Sequence, residues 1–212
     1  MRLLIVVLVA VMFFPLTEGR RVEMEIQQKH EQMLYPSVSI GRDDGGHGSG
    51  VVIAAQQGII LILTAAHVVK RAGLLTVVLF PEETEHTATV IKISQKHDLA
   101  LLAVEGEHPY VATLSEGPTP LVYQEVWKVG AGGSQDPHPG AGHITLYEGD
   151  LMMIDSGIVF GDSGGPVFIE TEEGYELIGI IVVVAALSTG VPVFHQGMAH
   201  NLETLWDFLS HP

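Results

Sequence analysis

From Ser37 to Phe194 the chain is written as short apolar runs rich in Val and Ile, cut every few residues by Gly, Pro, Asp or a cluster of charges. Runs of about four to eight β-branched residues bounded by turn formers are too short for helices, and they confine the chain to an all-β barrel or sandwich. Six candidate strands come first: Ser37–Ile40, Val51–Ala55, Ile59–Thr64, Leu74–Phe80, Thr87–Ile93 and Leu99–Val104. The segment Thr113–Pro120 (TLSEGPTP) has two prolines and no apolar period, and reads as a linker. Six more strands follow: Glu125–Ala131, His143–Glu148, Leu151–Ile154, Pro166–Glu170, Leu177–Val184 and Pro192–Phe194. Helical spacing is confined to the ends. Arg20–Leu34 reads as a modest amphipathic helix through Val22, Met24, Ile26 and Met33. Leu202, Leu205, Trp206 and Leu209 predict a C-terminal helix, with Asn201 as its N-cap.

Ahead of this region, Met1-Arg2 and the apolar run Leu3–Phe14, broken by Pro15, resemble a secretory signal peptide. The run is shorter than the roughly 20 residues a membrane span needs. Thr17 and Gly19 are small enough for the –3 and –1 positions, so cleavage is expected after Gly19. The alternative is an uncleaved N-terminal anchor, the one membrane attachment the sequence suggests. Either way the expected location is secreted or periplasmic. The expected organisation is therefore a signal peptide over 1–19, a helix and first barrel over 20–113, a linker over 114–120, and a second barrel with a C-terminal helix over 121–212. The chain has no cysteine, which excludes disulfides and thiol chemistry, and its net charge of –15 argues against a nucleic-acid partner.

Three motifs carry chemistry. Gly161-Asp162-Ser163-Gly164-Gly165-Pro166 frees the backbone on both sides of a serine. The amides of Gly161 and Ser163 can then converge on one point and stabilise an oxyanion, while the hydroxyl faces a cleft. A serine needs a base. His67 closes the apolar strand Ile59–Thr64 in the string Thr64-Ala65-Ala66-His67. Asp98 stands immediately before the apolar strand Leu99–Val104, where a carboxylate requires a hydrogen-bonding partner. An imidazole N–H supplies that partner, and the carboxylate in turn fixes its tautomer. Ser163 as nucleophile, His67 as general base and Asp98 as base-orienter form one consistent set.

TAAH, HDLALL and GDSGGP, in that order, resemble the chymotrypsin-like serine peptidases, and other details resemble the protease domain of their HtrA/Deg branch. Gly48-Ser49-Gly50-Val51-Val52-Ile53 is similar to the strand preceding the catalytic His in that branch. Leu34–Ile40 resembles its entry into the first strand, and Glu176–Ile180 its strand leading to the substrate edge. The resemblance spans Leu34 to Leu209. It implies two six-stranded antiparallel Greek-key barrels and a C-terminal helix, with His67 and Asp98 from the first barrel and Ser163 from the second. It also implies serine endopeptidase activity on polypeptide substrates without a cofactor.

Departures from the family are informative. In digestive members the Asp of GDSGGP pairs with an N-terminus freed by cleavage, but no Ile-Val-Gly-Gly-like start exists here, so Asp162 is expected to find another partner. The resemblance stops at the protease domain, and the PDZ domains usual in the HtrA/Deg branch are not expected after the C-terminal helix. Ile181-Val182-Val183-Val184 replaces the Ser or Thr that often supports the catalytic Asp, so Asp98 is expected to lack that hydrogen bond. A primary pocket near Asp155–Phe160, Val182–Val184 and Val193–Gln196 would be largely apolar. Phe160, Val182, Val183, Val184 and Phe194 are its expected contacts, favouring small or medium aliphatic side chains. His195 and His200 read as a rim and a core histidine, the alternative being that one of them favours an acidic side chain. His138 and His143 are expected in the Gly-Pro-rich loop Ala131–Gly142, and none of the eleven histidines shows a metal-binding spacing.

Gly161-x-Ser163-x-Gly165 also fits the nucleophile elbow of α/β-hydrolases. That fold requires a helix after the serine and the acid and His later in the chain. Here a strand follows, and Asp98 and His67 both precede, so the esterase fold is excluded. A catalytically weak or inactive peptide-binding or chaperone-like relative on the same scaffold is the other alternative.

Overall fold

The computed structural model describes residues 18–70, 72–94, 96–132, 136–186 and 192–211, without the side chains of 184–186 and 192–195. The expected signal peptide falls almost wholly outside the described residues. Among the described residues no helix is long and apolar enough to cross a membrane.

Six strands form a closed barrel: β1 (Ser37–Arg42), β2 (His47–Gln56), β3 (Ile59–Ala65), β4 (Leu75–Leu79), β5 (Thr84–Ser94) and β6 (Leu99–Glu105), in the order β1-β2-β3-β6-β5-β4. Each predicted strand of the first half has its counterpart here. The β2–β3 hairpin turns on Gln57 and Gly58, both at positive φ (54° and 77°), the geometry that matches strand twist in a two-residue loop. A single helical turn, α2 (Ala66–Val69), leaves the end of β3.

The second half repeats the plan with β8 (Glu125–Gly130), β9 (His138–Glu148), β10 (Leu151–Ile154), β11 (Pro166–Thr171), β12 (Gly174–Ala186) and β13 (Pro192–His200). Their order is β8-β9-β10-β13-β12-β11, and the pairing of β11 with β8 closes the ring. This is the same Greek-key order as in the first barrel. The strand β9 begins at His138, so His138–Gly142, expected in a loop, extend it instead. The reason lies in register: Gly140 pairs with Lys128 and Gly142 with Val126, and the glycines leave room for the side chains beneath them.

The segment expected as a linker is docked. It opens with β7 (Thr113–Leu114), which adds in parallel to β12. Ser115 then donates its amide to the Leu177 carbonyl, and Trp206 Nε1 donates to the Ser115 carbonyl.

At the start, α1 (Glu18–Lys29) runs into a π-helical turn, His30–Leu34. The predicted apolar stripe is not buried: Val22, Met24 and Ile26 are exposed, and Met33 of the turn is the stripe residue that reaches the core. The C-terminal helix, α3 (Leu202–Ser210), is capped as predicted, with Asn201 accepting from the Thr204 amide at 3.0 Å.

Apolar burial falls into three clusters. One fills the first barrel around Ile40, Ile62 and Leu102. Another fills the second around Ile144, Ile154 and Ile178. The third joins Val51 and Leu63 of the first barrel to Val129, Phe168 and Leu177 of the second, with Leu205 and Phe208 of α3 covering the seam. The seam is therefore packed, and groups on its rim are held in fixed relation.

Candidate active site

Asp98 lies in the tight turn entering β6, with a left-handed backbone (φ 47°) that Asp tolerates better than most residues. Its carbonyl accepts the Ala66 amide at 2.8 Å. Its Oδ1 accepts the His67 amide at 2.9 Å, and its Oδ2 lies 2.6 Å from His67 Nδ1. Asp98 thus caps the first two amides of α2, whose own N-cap, Ala65, offers no side-chain oxygen. The same contacts fix the imidazole, with Nδ1–H donating to the carboxylate and Nε2 left for the cleft. Burial resists ionisation of Asp98, yet the hydrogen bond and charge of His67 and its amide outweigh it, so the carboxyl sits below its ordinary range. Among the described residues, the hydrogen bonds to the Asp98 side chain come from His67.

Ser163 is half-buried at the opposite side of the seam. Its carbonyl accepts the Ser49 amide of β2 at 2.8 Å. Gly164 follows at φ +86°, and a Cβ there would sit 2.1 Å from the Ser49 carbonyl oxygen and 2.2 Å from Thr64 Oγ1, so glycine is required. The serine loop is therefore seated directly on the ends of β2 and β3, next to the strand end that carries His67. Among the described residues no hydrogen bond links the Ser163 hydroxyl to His67.

Within the loop, the amides of Asp162, Gly164 and Gly165 donate to Val159, Ile181 and Asp162 carbonyls. Those of Gly161 and Ser163 find no protein acceptor among the described residues. Two unengaged amides flanking one residue are the donors an oxyanion needs.

Three residues of the site were not singled out in the sequence. Ser49 is a hub: its hydroxyl donates to the Gly161 carbonyl at 2.7 Å and accepts the Ala131 amide at 2.8 Å. His47 lies over Gly161, its Nε2 2.5 Å from where a Cβ would stand. Lys128 is buried and reaches Asp162 Oδ2 at 2.7 Å, which supplies the alternative partner expected for Asp162. A lone lysine inside an apolar strand and an acid lacking its usual partner were the signals, and they are legible only as a pair.

Of the expected pocket residues, Phe160 and Val183 are exposed. Val182 is buried against the first-barrel core, because a bulge between Ile181 and Val183 turns it inward. The side chains of Val184, Phe194 and His195 lie outside the described residues. His200 is buried, and burial pushes its imidazole below the ordinary range. No cluster of three or more His, Asp and Glu able to hold a metal ion occurs among the described residues.

A search of curated proteins by sequence returns no match. Among solved structures, the serine endoprotease from Yersinia pestis is similar in fold, with a TM-score of 0.73 and 21% identity over 87% of this chain. The match spans 65% of that protein's length. The family model for the trypsin-like peptidase domain matches residues 48–180, from the start of β2 into β12. That stretch covers more than half of the sequence and includes all three motifs, and the chain belongs to the trypsin-like peptidase family.

Proposed function

We propose that this chain is a serine endopeptidase working through Ser163, His67 and Asp98. The observation that carries the proposal is the His67–Asp98 couple, at 2.6 Å, on the seam where the Ser163 loop is seated against β2 and β3. In the proposed reaction, Ser163 Oγ attacks the peptide carbonyl while His67 Nε2 takes its proton. The Gly161 and Ser163 amides hold the resulting oxyanion. Collapse breaks the C–N bond as His67 protonates the leaving amine, and water then hydrolyses the acyl-enzyme by the same route. Asp98 stabilises the imidazolium without itself taking the proton. The reaction uses no cofactor.

Exposed Phe160 and Val183 support an apolar primary pocket that favours small or medium aliphatic side chains. The N-terminal apolar run supports export, and thus substrates met outside the cytoplasm.

A second reading, a peptide-binding relative of low activity, draws on one observation: Ser163 and His67 are not hydrogen-bonded. Catalytic hydrogen bonds often tighten only in the substrate complex, which keeps the enzyme reading ahead. Cleavage of a peptide library, analysed by mass spectrometry, separates the two. The proposal expects cuts after small and medium aliphatic residues that vanish in Ser163→Ala. An intact library, with the folded protein still retaining peptides, would establish the second reading.

A further inference from the structure

Lysine is the residue an apolar strand interior tolerates least, because an ammonium without a partner is expensive to bury. Lys128 is 1% exposed, on a strand bonded on one side to β9 and on the other to β11. The chain makes room for it. A Cβ on Gly140, its cross-strand neighbour, would stand 2.9 Å from Lys128 Cε. At the far end of the pair, a Cβ on Gly130 or Gly132 would stand 2.3 or 2.5 Å from Asp162 Oδ1. Glycines therefore line both members of a pair that is itself closed to solvent.

Asp162 has no exposed surface, and its carboxylate is fully engaged. Oδ1 accepts the Gly132 amide at 2.9 Å, while Oδ2 accepts the Val159 amide at 2.9 Å and the Lys128 ammonium at 2.7 Å. This residue sits between Gly161 and Ser163, whose amides point to no protein acceptor among the described residues. The Ser163 amide belongs to the peptide plane that follows Asp162, and the Gly161 amide lies in the Phe160–Gly161 plane, between Asp162 and Val159, whose amide the same carboxylate holds. Anchoring its side chain from below therefore constrains the Ser163 amide directly and the Gly161 amide through the Val159–Asp162 segment. The anchor stands on a strand hydrogen-bonded to β11, which begins immediately after the serine loop. Among the described residues, His138 Nε2 also stands 3.5 Å from Lys128 Nζ.

We propose that Lys128 is the positioning residue of the oxyanion loop. It supplies from inside the folded chain the cation that holds Asp162, so that loop geometry is set by folding rather than by a cleavage that frees an N-terminus. The proposal rests on the serine-peptidase reading above. It assigns Lys128 no contact with substrate.

The test compares the full chain with Lys128→Met and with Lys128→Met/Asp162→Asn, by fluorophosphonate labelling of Ser163 and by kcat and KM on a peptide substrate, with folding followed by circular dichroism. The single variant leaves a buried carboxylate unpaired, whereas the double leaves no charge and is expected to fold. Both should lower kcat about 100-fold, the scale of losing one oxyanion donor, with KM within about threefold. Labelling should slow in step. A labelling rate and kcat within threefold of the original in either folded variant would overturn the proposal. Loss of the fold in the double variant would overturn it as well, by making the pair a folding element instead. Failure of the unsubstituted chain to label would instead strike the serine-peptidase reading.

Discussion

Asp98 concentrates more roles than any other residue of the site. Its carbonyl and both carboxylate oxygens are spent on Ala66 and His67, and its backbone accepts a left-handed conformation to do so. Such a conformation costs on the order of 1 kcal/mol and persists where surrounding contacts over-determine it. Its lowered carboxyl keeps the charge opposite His67 through the neutral and mildly acid range. The sign follows from the shift: stability from this group is complete above its ordinary value of 3.8 and is lost as pH falls through the lower folded value. Asp98→Asn should retain the fold but lower kcat by about 10³- to 10⁴-fold, because the amide no longer selects the productive tautomer. Steady-state kinetics on a peptide substrate check this, and a loss below tenfold would remove Asp98 from its assigned role. His67, Asp98 and Ser163 stand out as candidates in the sequence because each lies at the edge of an apolar strand or in a glycine-rich string. Lys128 does not, because a single lysine in Glu125–Gly130 looks the same whether it faces solvent or Asp162.

At the scale of elements, each of the twelve strands expected from β-branched periodicity has a counterpart, and the differences have separate causes. The extension of β9 was hidden because Pro139, Gly140 and Gly142 read locally as loop formers. Their meaning depends on what lies opposite, which is the Lys128 side chain and Ser156. The two-residue β7 was hidden because it owes its pairing to β12, more than sixty residues later in the chain. The inward turn of Val182 comes from a bulge, where one extra residue shifts the alternation that pattern reading assumes. In α1 the apolar spacing was read correctly, but nothing in a helix's own sequence says whether its face meets a partner. The one cap expected, Asn201, was the most local feature and the most legible.

For the whole molecule, two rings of identical strand order meet at a packed seam, and histidines beside it couple stability to pH. Burial pushes His108 and His200 below the ordinary imidazole range; a carbonyl of Tyr35 at 3.1 Å from His108 Nε2, and Asp98 and Asp150 near His200, oppose this without reversing it. Both groups fold neutral, so their contribution is complete above 6.5 and is lost as pH falls through their folded values. Thermal unfolding should show Tm falling from about pH 6.5 downward, with a shallower slope in His108→Gln/His200→Gln. An unchanged slope would assign the acid sensitivity elsewhere. In the proposed mechanism one atom is decisive, the Ser163 hydroxyl, made nucleophilic by a base held across the seam. Exposing the folded protein to a fluorophosphonate probe and mapping the adduct by mass spectrometry tests this most directly. One adduct is expected, on Ser163, absent from Ser163→Ala and slowed in Asp98→Asn; a folded protein that takes up no label, or takes it up elsewhere, would contradict the mechanism.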